Sequence, residues 1–123
     1  MSTLNVSNIT DGTTTVGTSY VLNGSAKGWV QFDTNDNPPV ADGSFNVSSL
    51  TDDGAEVEVN ITNAMSNSLF SPVGSSANTA ANPSNRLLSC GCVSASIINT
   101  EQYSAANVQA IGLNHVAWFG DLA

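Results

Sequence analysis

The chain has 123 residues, a formal charge of −8 and only two strong cations, Lys27 and Arg86. One domain of ordinary size is expected, and contact with nucleic acid or anionic lipid is excluded, because both need clustered Lys and Arg. Charged residues make up 10% of the chain, far below the roughly 25% usual for soluble domains, so Ser, Thr and Asn, 43 residues together, must keep the surface wet.

That choice of polar residues bears on fold. Glu, Lys, Arg and Gln, which usually cover helix surfaces, are scarce, whereas Thr and Val suit strands and Asn, Ser, Gly and Asp suit turns. An all-β domain is predicted, with 41% apolar residues to fill its core. Met1-Ser2-Thr3-Leu4-Asn5 has neither the charged start nor the apolar run of a signal peptide, and no stretch approaches the roughly 20 apolar residues of a membrane span. The expectation is a protein made in a cytoplasm, used without processing and not inserted in a membrane.

Residues 2–10 read as extended and end in a turn at Asp11-Gly12-Thr13-Thr14-Thr15; residues 1–20 as a whole read as an extended assembly segment ahead of a core spanning 21–123. From Tyr20 to Phe32 the pattern is strand, interrupted at Asn23-Gly24, a tight-turn dipeptide. There Ala26, Gly28, Val30 and Phe32 share one face, and Lys27, Trp29 and Gln31 the other. Residues 33–39 form a loop, since Pro38 and Pro39 cannot continue a central strand. Over 45–61, Phe45, Val47 and Ser49 alternate with Asn46, Ser48 and Leu50; Thr51-Asp52-Asp53-Gly54 turns the chain; then Val57, Val59 and Ile61 oppose Glu56, Glu58 and Asn60. That is an antiparallel hairpin with the two glutamates on the wet face. Residues 74–85, rich in Gly, Ser, Ala and Asn, predict a surface loop. Strands resume over 86–98 and 107–119, the latter apolar on both faces, with Val116 and Trp118 against Ala117 and Phe119. A small domain with such a strand expects a second layer or a subunit contact.

The candidate chemistry is thin. On a strand, Cys90 and Cys92 point the same way, yet zinc wants four ligands and His115 alone remains to help, while a disulfide across one residue is strained. Two buried free thiols acting as small apolar groups is the simpler reading. Asp33-Thr34-Asn35-Asp36-Asn37 imitates a calcium loop, but Pro38 stands where the sharp-turn glycine belongs and Ser44 where the bidentate glutamate belongs. His115, the single histidine, lies in an apolar strand without a nucleophile elbow, and Glu56 with Glu58 lies where nothing raises a general acid's pKa. Asn-x-Ser/Thr triplets at Asn5, Asn8, Asn23, Asn46 and Asn60 are what so Asn-rich a composition supplies by chance. No catalytic residue, cofactor or metal is expected. Trp29 has three readings: packing under a second layer, burial at a subunit contact, or stacking on a sugar. The candidate contact residues are Trp29, Asn35, Asp36, Asn78 and Trp118.

Several segments fall into an ordered set: Ala26-Lys27-Gly28-Trp29-Val30-Gln31-Phe32, then Ser44-Phe45-Asn46-Val47-Ser48-Ser49-Leu50-Thr51-Asp52-Asp53-Gly54, then Val57–Ile61 leading to Asn63-Ala64-Met65. They resemble a module of tail-fibre and other virion proteins of tailed, especially marine, bacteriophages, as does the opening Ser2–Thr10. The likeness covers about half the chain; residues 66–106 match loosely. It departs in lacking the family's aromatic residue and longer Gly turn entering the strand at 55–61, and in being that module almost alone. The resemblance implies a place on the virion exterior, a homotrimer, contact with other tail or capsid proteins, and host attachment through a surface receptor or glycan, or else decoration of the capsid. The expected architecture is an antiparallel β-sandwich or compact β-barrel-like single domain.

Overall fold

The structure, a computed structural model, describes residues 1–53, 56–79 and 86–123. In chain order the elements are β1 (Asn8–Thr10), β2 (Thr15–Gly17), α1 (Thr18–Gly24), β3 (Gly28–Asp33), β4 (Ala41–Phe45), β5 (Val47–Asp53), β6 (Glu56–Ile61), β7 (Ser71–Ala77), β8 (Arg86–Ser94), β9 (Ile97–Ser104) and β10 (Leu113–Phe119). Two four-stranded antiparallel sheets, ordered β4-β3-β10-β7 and β5-β6-β9-β8, pack as a sandwich, and β1 and β2 form a separate hairpin. The fold is all-β, and of the two expected architectures it is the sandwich.

Period-two alternation builds the core. Val30 and Phe32 of β3 with Val116 and Trp118 of β10 face Val57, Val59 and Ile61 of β6 and Ile98 of β9; Met65 and Phe70, from the segment after β6, close one end. Trp118 is the largest wholly buried side chain. Its indole lies flat over Gly28, its β3 partner, where an added Cβ would sit 2.0 Å from the ring. Glycine at position 28 is therefore a packing requirement: the ring occupies the volume a side chain would need.

The chain changes sheets at Asn46. This residue adopts φ 61°, a left-handed conformation that asparagine tolerates better than most residues. Its side chain fixes the crossing: Nδ2 donates to the Lys27 and Asn63 carbonyls at 2.9 and 3.2 Å, and Oδ1 accepts from the Asn63 amide at 2.7 Å. A bulge follows, with Val47 opposite Ile61 but Ser49 opposite Asn60, so that both Val47 and Leu50 pack on the core. The unbroken alternation read from Phe45 to Leu50 is corrected here: Phe45 belongs to the outer face of the first sheet, and Val47 to the inside of the second. The β5–β6 hairpin itself forms as expected; Gly54 of its turn lies outside the described residues.

Other boundaries also shift. Residues 20–24, read as strand, form the end of α1 with no buried residue. With no sheet neighbour beside them, local backbone hydrogen bonds are the alternative. Asn23-Gly24 ends that helix, and the Lys27 ammonium caps it, donating to the carbonyls of Leu22 and Ser25, an arrangement favoured at a helix C-terminus. Residues 74–77, read as loop, belong to β7, an edge strand pairing with β10; small residues suit it because β8 lies close, Leu88 Cδ2 standing 2.6 Å from where a Gly74 Cβ would be. Residues 80–85 of that expected loop lie outside the described residues. The span 86–98 divides into β8 and the start of β9, and 107–112 is loop, so the last strand is shorter than expected.

Candidate functional site

The sequence's five candidate contacts separate. Trp118 is corrected: it is core, 0% exposed, with its indole N–H enclosed and without a hydrogen-bond partner. Trp29 lies on the outer face of the first sheet, 46% exposed, its ring over Gly43 of β4. Asn35 and Asp36 occupy the turn after β3, where Asp33 Oδ1 accepts from the Asn35 amide and side chain at 2.8 and 2.6 Å. Asn78 is half-buried beyond β7, its Oδ1 accepting from Arg86 Nη2 at 2.8 Å. Asn35, Asp36 and Asn78 thus gather at one end of the sandwich, and Trp29 stands apart from them.

Two features of the surface come out of this placement. The first is a row across all four strands of the first sheet's outer face. The registers place Phe45 opposite Trp29, Trp29 opposite Ala117 and Ala117 opposite Val73. Phe45 and Val73 are 58% and 50% exposed. The next row is Gly43, Gln31, His115 and Ser75, with His115 exposed on it. A contiguous apolar row on a sheet face needs cover more than scattered apolar residues do.

The second feature is a cavity of about 470 Å³ at the end where the sheets part. Its floor is polar and comes from both sheets: Asn114 of β10 and Thr100 and Gln102 of β9, each 3% exposed or less. Burying such groups costs free energy unless they are hydrogen-bonded, and they are. Thr100 donates to the Val57 carbonyl at 2.8 Å, Gln102 Nε2 to the Ala77 carbonyl at 3.3 Å, and Asn114 Nδ2 to the Gly112 carbonyl at 3.2 Å, while Asn114 Oδ1 accepts from Ser76 at 2.8 Å. Thr34 ties the 33–39 loop to the segment before β10: its hydroxyl accepts from the Gly112 amide at 2.8 Å and donates to Gln102 Oε1 or the Gly112 carbonyl. Asp36, Gln109 and Ile111 are among the residues that line its mouth.

Sequence reasoning reached Asp36 and missed the floor. The one signal for it is a polar pair on the face of a core residue: Ile98, Thr100 and Gln102 share one face of β9, which a single strand expected over 86–98 hides.

The two thiols are free and half-buried rather than buried, on the inner side of β8. Burial, with Cys92 as neighbour, pushes the Cys90 thiol up to about 11, and Cys92 is raised by burial as well, its Sγ lying 3.2 Å from the Phe70 carbonyl. Both are poor nucleophiles at neutral pH. Among the described residues no group of three or more His, Cys, Asp or Glu is placed to hold a metal ion, and no helix is long and apolar enough to cross a membrane. No family model, curated protein or solved structure matches this chain.

Proposed function

We propose that this chain is a non-catalytic structural module of a bacteriophage virion surface, a fibre- or spike-like subunit that assembles with copies of itself and contributes to host attachment. The ordered likeness at residues 26–32, 44–54 and 57–65 supports the virion setting. The observation that carries the assembly half of the reading is the exposed row Phe45–Trp29–Ala117–Val73, because a protein surrounded by water gains by covering it. The rows holding Trp29 and His115 carry no carboxylate, Asp33 following one row further on, so copies that meet over the apolar row itself need not set like charges face to face. In this reading the row lies at subunit contacts of a homotrimer, and the 33–39 loop, at the end where Asn35, Asp36 and Asn78 gather, is presented outward.

A second reading, decoration of the capsid shell, draws on a different observation. Residues 1–24 form a hairpin and short helix in which nothing is buried, with Leu4, Tyr20 and Leu22 exposed. Such a segment suits an arm laid on a neighbouring shell subunit.

Sedimentation of the purified protein tests self-association: a trimer mass is expected, and a monomer at every concentration overturns it. Copy number separates the two settings. A few to a few dozen copies per particle on a stained gel support the fibre-like subunit, and hundreds support decoration. Particles carrying a substituted 33–39 loop are expected to adsorb poorly to host cells, and undiminished adsorption counts against attachment.

A further inference from the structure

We infer that the cavity between the sheet ends is a binding site for a neutral, polyhydroxylated small molecule, of the size of a monosaccharide or short polyol. The inference deepens the attachment reading and rests on it for its setting, but its chemistry is read from the cavity alone.

Size comes first. A volume of about 470 Å³ lies within the range of small-molecule sites. The floor then decides the class of ligand. An amide side chain carries two N–H donors and two carbonyl lone pairs. Asn114 commits one donor, to Gly112, and accepts from Ser76; Gln102 commits one donor, to Ala77, and shares the Thr34 hydroxyl proton with the Gly112 carbonyl. Each amide keeps a donor and acceptor capacity, and Thr100, which donates to Val57, keeps the lone pairs of its oxygen. Both kinds of capacity therefore lie at the floor of one cavity, which suits groups that donate and accept at once. Hydroxyl groups do so.

The remainder of the lining narrows the choice. Among the described residues no Lys, Arg or His takes part, whereas the Asp36 and Asp52 carboxylates do, so an anion would be repelled and undercompensated. A hydroxyl donating to a carboxylate gains a charge-assisted bond. Ile111, Pro39 and Leu88 supply apolar surface beside these groups, matching the C–H faces that alternate with hydroxyls on a sugar or polyol. Among the described residues no aromatic ring lines the cavity, so affinity is expected to be weak, with a Kd on the order of 1 mM.

The cavity is built rather than incidental. Thr34 and Gln102 join its two walls, and Gly112, φ 156°, leaves no room for a Cβ, which would meet the Ala77 carbonyl at 2.3 Å. These contacts hold the two loops of the mouth at a set separation.

The test is a titration of the intact, isotope-labelled protein, followed by amide NMR, with separate panels: neutral monosaccharides and sorbitol, inorganic sulfate, calcium ion, and ethylamine. Saturable shifts confined to Thr34, Asp36, Thr100, Gln102, Gln109 and Asn114, seen with the neutral panel and not with sulfate, are expected. Ile111→Trp, placed at the exposed mouth to block entry without touching the core, abolishes them while the remaining spectrum stays native. Asp36→Asn weakens binding by about tenfold, the loss of one charge-assisted bond. Shifts that fail to saturate with every neutral ligand, or that survive Ile111→Trp, overturn the inference, as does saturable binding of calcium or ethylamine alone. Because the titration uses isolated protein, its failure leaves adsorption of whole particles to be read on its own.

Discussion

The two outer faces of the sandwich obey the same alternation and end in opposite chemistries. On the first sheet the outward positions of four adjacent strands line up as Phe45, Trp29, Ala117 and Val73. On the second, Asp53, Glu56 and Glu101 line up across β5, β6 and β9, with Glu58 in the neighbouring row. Glu56 accepts from Asn99, and Glu101 from Gln109 at 2.6 Å; the Tyr103 hydroxyl and Gln109 hold the Glu101 carboxyl below its usual range. Carboxylates directly opposite across strands repel one another, are tolerated only where water screens them, and repel a second copy of the same face. In a molecule of charge −8, one face is thus fitted to be covered and the other to stay wet. The difference is one of partners: a strand's inward residues specify the fold, and its outward residues specify what the fold meets.

The largest effect should come from removing what both faces are mounted on. Trp118→Ala is expected to cost about 3–5 kcal/mol, measured by urea unfolding, and Gly28→Ala about 3 kcal/mol, because the new Cβ must displace the same ring. Next is the crossing between sheets. Asn46→Ala should cost about 2 kcal/mol, losing three hydrogen bonds and an accessible left-handed conformation, while Asn46→Gly recovers the backbone part alone; equal losses would show that the conformation contributes nothing.

The seam where β7 meets β8 should respond to alkali. Cys90 ionises near 9 when unfolded and near 11 when folded, so the native state holds its proton longer. Stability on this account is fully present below pH 9 and declines as pH rises toward 11. Because Cys90 is only half-buried, the loss is about 1 kcal/mol, a fraction of what such a shift implies for a sealed thiol. A Cys90→Ala variant whose unfolding midpoint falls just as steeply over that range would remove Cys90 as the cause.

Substitutions on the faces themselves should barely move stability and should separate the two by assembly. Trp29→Ser with Phe45→Ser is expected to change unfolding free energy by about 1 kcal/mol or less while converting the proposed trimer to monomer in sedimentation. Glu56→Gln with Glu58→Gln should shift stability within about 0.5 kcal/mol and leave the mass unchanged. If the glutamate pair rather than the aromatic pair alters the mass, the comparison is inverted.

Much of this was legible where one physical rule acted alone. The strict alternation Val57, Val59, Ile61 fixed the inside and outside of β6, and Trp29 against Val30 and Phe32 gave the sidedness of β3. The reading failed where a second rule intervened. The bulge after Val47 and the left-handed Asn46 moved Phe45 to another sheet, which periodicity cannot reveal because the pattern before and after the crossing looks continuous. Tyr20 and Val21 have strand propensity, but propensity yields where no neighbouring strand is available. Trp118 was weighed as a contact because both faces of its strand look apolar; only the register with Gly28 shows which face is inside. The cavity floor was hidden by a related limit: Thr100 and Gln102 of β9 and Asn114 of β10 sit on consecutive strands that join different sheets, and alternation does not say which sheet a strand joins.

The sandwich begins where it finishes. Gly28 opens β3 opposite Trp118 near the close of β10, and the Lys27 amide donates to the Trp118 carbonyl at 2.8 Å. Tension applied through the two flanks of the sandwich would therefore fall on one rung at a time, peeling β3 from β10 like the teeth of a zip instead of loading many rungs together in shear. A domain wired this way resists pulling poorly through its own chain; in the proposed assembly, strain would be borne better sideways, from one copy to the next.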